Sequence, residues 1–395
     1  MIVRLLPILG ITFIDILGFS ILLPLMPYYV QHFGAPVIVV GALLSVFAAC
    51  QFIAGPLWGN LSDRIGRKRV LIISQIGATI GWTMLAFAPN IAIVFVARII
   101  EGLSGGNLSV TQAYVGDLVP SEKRGRAFAY VGASFSGGLI FGPLIGGVLF
   151  ARFGYTAPFL AAAALQVLTL AVTIAILPES RKPGDERTPT LRDIVTELTD
   201  PRVAPILWQK LVLSLGLYGW FAAFILVLQR QLGLDAANSS YLFGVFGAVS
   251  VVLQLGVVAR FVDALGARRA SNIGFVSLVG AFVIASFMHD YLTTAVMIVL
   301  FALGMALENA AIPTLLSDAA PENVRGTVLG VGSSLENISG VVMPPITTGV
   351  FGRYGVVPTA GISAAFAIVA LVMGIMQANL RPPRAATLNE ERATP

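Results

Sequence analysis

Six ionisable side chains interrupt long apolar stretches of the sequence: Asp15, Arg98, Glu101, Lys210, Glu308 and Glu336. In an apolar medium such groups are costly unless they are paired, hydrated or neutralised. Desolvation favours the protonated form of a carboxylate, and a nearby cation favours the ionised form. A site that alternates between these surroundings takes up and releases a proton. The pattern therefore predicts proton uptake and release rather than bond-making on a substrate.

Three of the six residues are candidates for proton coupling. Asp15 either carries the coupled proton or joins two helices. Arg98 and Glu101 lie one helical turn apart, so they either neutralise each other or leave Arg98 to act as the partner of Asp15.

The other three are candidates for a substrate cavity. Glu308 and Glu336 fit either substrate contact or protonation, and Glu336 is also a candidate for a boundary between helix bundles. Lys210 lies nearer the end of its apolar stretch, so its alternative is a side chain that extends to the membrane surface. Asn107 and Gln112 are expected to add polar contacts to this cavity.

The composition indicates which elements must position these side chains. Hydrophobic residues make up 56% of the 395 residues, charged residues make up 11%, and the mean hydropathy is +0.86. Soluble proteins carry roughly 25% charged residues, so a multi-pass membrane protein is predicted. Cys50 is the single cysteine, which leaves no disulfide framework within the chain. No basic stripe with interleaved aromatic residues points to nucleic acid.

Twelve apolar stretches are long enough to cross a bilayer as helices. They lie near 5–30, 37–58, 70–88, 91–114, 127–151, 158–177, 204–228, 239–259, 271–288, 291–316, 327–351 and 357–380. The alternating pattern of a transmembrane barrel is missing. The predicted fold class is an all-α membrane protein with twelve transmembrane helices.

Lysine and arginine are distributed unequally between the two sets of loops. Twenty of the 25 lie on the side that holds both termini, whereas Arg152, Arg230 and Arg353 lie on the other side. Because positively charged loops remain in the cytoplasm, both termini are predicted to be cytoplasmic.

The sequence also matches itself at an offset of 200 to 201 residues. Aligned pairs are Asp63 with Asp263, Gly66 with Gly266, Arg69 with Arg269, Asp117 with Asp318, and Pro143 with Pro344. Two parallel repeats of six spans are typical of transporters whose substrate site lies between the repeats. The predicted division is an N-terminal six-helix bundle (1–178), a cytoplasmic linker (179–203), a C-terminal six-helix bundle (204–380) and a disordered tail (381–395).

Several motifs resemble those of the major facilitator superfamily, whose fold is two pseudo-symmetric six-helix bundles. The run from Gly59 to Arg69 resembles its signature loop between spans two and three. Arg98-Ile-Ile-Glu101-Gly102 resembles a second motif, which more often has glutamine at the position of Glu101. Asp15-Ile-Leu-Gly18 with Pro24-Leu-Met-Pro27 resembles span one of twelve-span drug:proton antiporters, tetracycline exporters included.

The resemblance implies a small-molecule transporter of the bacterial inner membrane. Its spans one, four, seven and ten would line the cavity, and span eleven would border it. Protons and one small substrate would be its ligands, a proton gradient would replace any cofactor, and the protein would work as a monomer.

The loop between spans two and three holds a candidate gating latch. Its members are Gly59, Asp63, Arg64, Gly66, Arg67 and Asp117. The two glycines permit a tight turn, and Asp63, Arg67 and Asp117 are expected to form a charge cluster at the ends of adjacent helices. The resemblance implies that this cluster holds one conformation closed. The alternative is that the basic residues only enforce topology.

Span five carries a stripe of small residues that resembles the motif of the antiporters. The residues concerned are Gly138, Gly142, Pro143, Gly146 and Gly147. Glycines four residues apart share one helix face and let a neighbouring helix approach closely, while a proline bends the helix. Ordinary helix packing would produce the same stripe.

Enzyme and ATP-driven functions find no support in the sequence. It contains neither a Gly-x4-Gly-Lys-Ser/Thr phosphate loop nor a Gly-x-Ser-x-Gly elbow, and its two histidines are too few for a metal cluster. The leading hypothesis is proton-coupled efflux of a small lipophilic or amphiphilic compound, such as an antibiotic or another drug. The alternative is a proton-independent uniporter or importer of a polar metabolite, or a transport-inactive sensor, on the same fold.

Overall fold

The computed structural model describes residues 2–105, 110–111, 114–115, 118–119, 121–180, 199–321 and 324–380. In this part of the chain all regular elements are helices. They are α1 (Ile2–His32), α2 (Ile38–Ile65), α3 (Arg67–Ala86), α4 (Ile91–Ser104), α5 (Ser121–Phe153), α6 (Thr156–Ile176), α7 (Ala204–Leu232), α8 (Ala236–Leu253), α9 (Ala259–Leu265), α10 (Ala267–Ser286), α11 (Tyr291–Ala319), α12 (Arg325–Tyr354) and α13 (Val356–Leu380). A π-helical turn, Gln254–Val258, joins α8 to α9.

Ten of these helices are long and apolar enough to cross a membrane. The remaining two predicted spans correspond to α4 and α12. The described part of α4 has 14 residues, and further helical residues follow at 110–111, 114–115 and 118. Helix α12 has 30 residues, but its glycines, serines, threonines and prolines lower its hydropathy. The all-α membrane fold class is confirmed.

The repeat reappears as matched helix boundaries. Helices α3 and α10 begin and end 200 residues apart, and α4 and α11 begin 200 residues apart. The described glycines with left-handed backbone form three pairs: Gly34 with Gly233, Gly66 with Gly266, and Gly154 with Gly355. Since only glycine adopts this conformation without strain, these pairs preserve where the chain turns. The two halves are therefore pseudo-symmetric in backbone.

The two halves meet at the end of the molecule where α1 runs into α2 and α7 into α8, here called the closed end. Glycines on α12 and α5 allow this contact. A Cβ atom at Gly349 would touch Ile38 of α2, and one at Gly147 would touch Ser240 and Tyr241 of α8. Helices α2 and α12 form one seam and α5 and α8 form the other.

Hydrogen bonds join the halves at the same end. The Tyr28 hydroxyl lies 2.7 Å from the Leu234 carbonyl oxygen and 2.7 Å from Ser239 Oγ. The side-chain amides of Gln31 and Gln229 donate to each other reciprocally at 2.9 Å. Polar side chains that satisfy one another in this way hold the two halves together at this end of the molecule.

Toward the opposite end, here called the basic face, the seams separate. Glycines along both seams have no described residue within 4 Å of an added Cβ atom. They are Gly55 and Gly59 on α2, Gly132 on α5, Gly256 in the π-helical turn after α8, and Gly330 on α12. In the described part of the chain, the halves therefore separate toward the basic face and leave a cleft between them.

Candidate functional site

A buried ion pair lies within α4. Arg98 Nη1 and Glu101 Oε2 are in contact, and their side chains are 0% and 4% exposed. The Arg98 guanidinium carbon also lies 4.0 Å from the centroid of the Phe47 ring on α2. The structure thus realises the alternative in which these two residues neutralise each other.

The pair leaves polar atoms without partners. Among the described residues, Arg98 Nε and Nη2 have no acceptor and Glu101 Oε1 has no donor. Such atoms are rare in folded proteins because each costs free energy. A cation and a carboxylate that keep spare bonding capacity inside the membrane are able to exchange partners when their surroundings change.

Asp15 lies on α1, the helix that contacts Phe47 through Phe19. It is half-buried on α1, one helical turn before Phe19, and Phe19 stacks on Phe47 with ring centroids 5.6 Å apart. Phe47 therefore contacts both Phe19 on α1 and Arg98 on α4.

A second ion pair bridges two helices of the C-terminal half. Lys210 Nζ on α7 lies 3.0 Å from Glu336 Oε1 on α12, with the side chains 11% and 39% exposed. Lys210 is therefore paired rather than extended to the membrane surface. Unlike the α4 pair, this one is open to solvent.

Glu308 differs from its predicted place in the cavity. It is 3% exposed, and its two carboxylate oxygens accept from the Ser271 hydroxyl of α10 at 3.2 and 3.0 Å. A Cβ atom at Gly274 would press against the same carboxylate. The side chain points from α11 into α10 because the absence of a side chain at Gly274 leaves space for it there.

The predicted latch is only partly described. The turn is made by Gly66 alone (φ 103°), whereas Gly59 lies inside α2, which continues past the apolar stretch to Ile65. The Arg67 guanidinium is buried and donates to Ser62 Oγ at 2.5 Å, and Arg64 is exposed. Asp117 lies outside the described residues, as does the side chain of Asp63, so the charge cluster remains a prediction. Asn107 and Gln112 also fall outside them.

The predicted small-residue stripe packs against α1. The Ser20 hydroxyl donates to the Gly138 carbonyl oxygen at 2.8 Å, and a Cβ atom at Gly142 would overlap Ser20 Oγ and the Leu17 carbonyl. Gly146 continues this contact at Ile21. Pro143 is buried in the middle of the helix. Gly147 differs, because it faces α8 and so belongs to the seam between the halves.

Sequence reasoning missed Glu179, which follows α6. Its Oε1 accepts from the Arg67 backbone N–H at 2.8 Å and its Oε2 from the Lys68 backbone N–H at 3.2 Å. A carboxylate in this position accepts hydrogen bonds from otherwise unpaired N–H groups at the start of α3. Its negative charge is also stabilised by the positive end of the helix dipole. An acidic residue directly after Pro178 at the end of a span was the available signal. The glutamine pair at the closed end was also missed, although Gln31 and Gln229 end the first spans of the two repeats.

The comparisons with known proteins agree with this architecture. The family model described as the Major Facilitator Superfamily matches residues 8–344 and 223–395. The chain belongs to this superfamily. Major facilitator proteins are transporters, so the chain is a membrane transporter and not an enzyme.

Two relatives of this major facilitator protein are resistance proteins. It is 30% identical over 354 residues to the class E tetracycline resistance protein of Escherichia coli, and the match covers 85% of each chain. It is 26% identical over 349 residues to the multidrug resistance protein MdtG of Escherichia coli O9:H4 (strain HS), covering 86% of this chain and 85% of that one.

Solved structures show the same fold. A bacterial homolog of the human lysosomal transporter Spinster, in an inward-facing and unoccupied conformation, superposes with a TM-score of 0.78 at 14% identity. That match covers 97% of this chain and 98% of the other. The nucleoside transporter NupG gives a TM-score of 0.78 at 14% identity, covering 96% and 100%.

Proposed function

We propose that this chain exports a small lipophilic or amphiphilic compound in exchange for protons. The observation that carries the proposal is the match to tetracycline and multidrug resistance proteins over about 85% of the chain. The cleft between the halves supports it, because a cleft closed at one end and open at the other is one state of an alternating-access cycle.

The proton-coupling step is assigned to Asp15, Arg98 and Glu101. A carboxylate that exchanges between a cationic partner and an apolar surrounding changes its proton affinity. The Arg98–Glu101 pair is buried and has spare hydrogen-bonding atoms. Asp15 lies on α1 one helical turn before Phe19, which stacks on Phe47, and Phe47 in turn contacts Arg98. Movement of Phe47 during the cycle would let the Arg98 guanidinium change partner.

The remaining assignments follow from the same proposal. The basic face is cytoplasmic, because the excess of lysine and arginine lies there, so the described state opens inward. The protein works as a monomer in the bacterial inner membrane. The proton gradient supplies the energy, with no cofactor.

Flux into reconstituted vesicles with an imposed pH gradient tests the proposal. A panel of antibiotics, dyes, sugars and lipids would identify the cargo. Drug flux should follow the gradient, and Asp15→Asn or Glu101→Gln should abolish this dependence. Flux that ignores the gradient in the unmodified protein would favour the uniporter alternative. If drug flux in both variants still depends on the gradient, Asp15 and Glu101 do not carry the coupled proton.

A further inference from the structure

The Lys210–Glu336 pair lies where the two halves begin to separate. Gly332, Glu336 and Gly340 recur every four residues and share the face of α12 that packs on α7. A Cβ atom at Gly340 would lie 3.2 Å from the Tyr218 ring of α7 and 3.6 Å from Ala48 of α2. The seam between the halves therefore still holds at Gly340. One turn closer to the basic face stands the Glu336 carboxylate, at the inner end of the cleft.

The aliphatic part of Lys210 is held in place beside this carboxylate. A Cβ atom at Gly332 would lie 3.3 Å from Lys210 Cδ and 3.5 Å from Leu316 of α11. The lysine stem thus runs along α12, and the ammonium group reaches Glu336 from the side. This arrangement leaves the Glu336 side chain 39% exposed, whereas the lysine is 11% exposed.

A partly exposed aromatic ring lies one turn of α12 from this carboxylate, because Tyr218 packs at Gly340. Tyr218 is 38% exposed, and it lies two helical turns beyond Lys210 on the same face of α7. A carboxylate next to an aromatic ring recognises a positive charge through ion pairing and cation–π attraction. Glu101 and Glu308 are buried and so are less accessible to a ligand. Asp15 is half-buried, on α1 of the other half.

We infer that Glu336 and Tyr218 bind the positive charge of the transported compound, and that Lys210 is a tethered competitor for the carboxylate. The inference rests on the proposed function, since it takes this cleft to hold the cargo. When the cleft is empty, the Lys210 ammonium neutralises Glu336. An incoming cation displaces it, and the freed ammonium then turns to the solvent of the cleft.

Removing the charge of the competitor, Lys210, and removing that of the contact, Glu336, should have opposite effects on ligand binding. Glu336→Gln takes away the charge that attracts the ligand and should weaken binding of a cation about tenfold, the value of one charged hydrogen bond. Lys210→Met keeps the apolar stem but removes the competing charge, so it should strengthen binding several-fold. A pair that only holds α7 to α12 would give losses of the same sign in both variants.

Equilibrium dialysis of the purified full chain in detergent measures this directly. The probes are tetraphenylphosphonium and tetraphenylborate, which share size and shape but carry opposite charge. Ser333→Ala is the matched control on α12, because Ser333 is exposed and its hydroxyl donates within the helix to the Leu329 carbonyl at 3.3 Å. This control should bind like the unmodified chain.

The expected result is preferential binding of tetraphenylphosphonium, weakened by Glu336→Gln and strengthened by Lys210→Met. Preference for tetraphenylborate with the reverse response would overturn the inference by making Lys210 the contact. Equal losses in both variants, or no change in either, would also overturn it. If Glu336→Gln does not remain monodisperse in size-exclusion chromatography, the direction of the Lys210→Met effect decides alone.

Failure here is distinguishable from failure of the proposed function. The dialysis uses no gradient and no flux, so it reports only the site. If drug flux is driven by protons but cation binding is unaltered in both variants, the proposed export function stands and the inferred binding site is wrong. Normal cation binding without gradient-driven flux would do the opposite.

Discussion

The two halves share one backbone plan but place their charges differently. In the N-terminal half, Arg98 and Glu101 pair within a single helix and are sealed from solvent. In the C-terminal half, Lys210 and Glu336 join two helices and remain partly exposed. The repeat therefore preserves where the chain turns and packs, while its charged residues have diverged.

The same contrast holds at the matching loops on the basic face. Gly66 is covered by the Glu179 carboxylate, whereas a Cβ atom at Gly266 would meet nothing within 4 Å. The arginine after Gly66 is replaced by Ala267 in the second copy. The N-terminal loop is thus tied to the end of α6, whereas no carboxylate of a described residue covers its counterpart.

Removing one partner of each ion pair should give the largest difference between the halves. Arg98→Met leaves a buried carboxylate unpaired and should cost about 3–5 kcal/mol of unfolding free energy. Lys210→Met should cost only about 0–1 kcal/mol, because solvent reaches Glu336. Reversible unfolding in mixed detergent micelles measures both values.

The double variant Arg98→Met/Glu101→Met is the control for this prediction. Replacing both charges by apolar side chains of similar volume should recover most of the loss. Equal losses for the two single variants would contradict the contrast between a sealed and an open pair.

Glycine-to-alanine substitutions at two equivalent helix contacts should give a smaller difference. At Gly142 of α5 the new methyl group would strike the Leu17 backbone carbonyl of α1, which cannot move aside. At Gly219 of α7 it would meet side-chain atoms of Thr347 and Met343 on α12. Gly142→Ala should therefore cost about 1–3 kcal/mol, and Gly219→Ala less. Thermal unfolding in detergent ranks the variants.

Gly132 provides the matched control on α5, because no described residue lies within 4 Å of an added Cβ atom there. Gly132→Ala should be neutral or stabilise the helix by about 0.5–1 kcal/mol. If Gly219→Ala proves as costly as Gly142→Ala, the Thr347 and Met343 side chains do not move aside for the added methyl group.

The smallest difference is expected at the two loop glycines. Gly66→Ala and Gly266→Ala both force alanine into a region of positive φ and extended ψ that is essentially confined to glycine, at about 1–3 kcal/mol each. Gly66→Ala also displaces the Glu179 carboxylate from the start of α3, which adds about 0.5–1 kcal/mol. A double-mutant cycle with Glu179→Ala isolates this addition. In the Glu179→Ala protein, Gly66→Ala and Gly266→Ala should lower the unfolding free energy by the same amount. A remaining difference would mean that a contact other than Glu179 is responsible.

Much of the fold could be predicted from the sequence because its signals are local or additive. A span is recognised from the summed hydropathy of about 20 residues. The repeat is legible because turns need glycine at Gly66 and Gly266. The identity of the membrane-depth charges was also visible. Their partners were visible only in part. The Arg98–Glu101 pair was one of two alternatives, whereas Glu308, on a predicted cavity helix, is turned by the fold toward Ser271.

The sequence by itself determined an all-α membrane protein with two six-helix repeats and six charges at membrane depth. The tertiary structure decided which charges meet: Arg98 with Glu101, Lys210 with Glu336, and Glu179 with the start of α3. The physical reason is that a membrane helix is apolar on all sides, so its pattern does not reveal its rotation about its own axis. Packing of the whole bundle sets that rotation, and with it the sealed pair of one half and the open pair of the other.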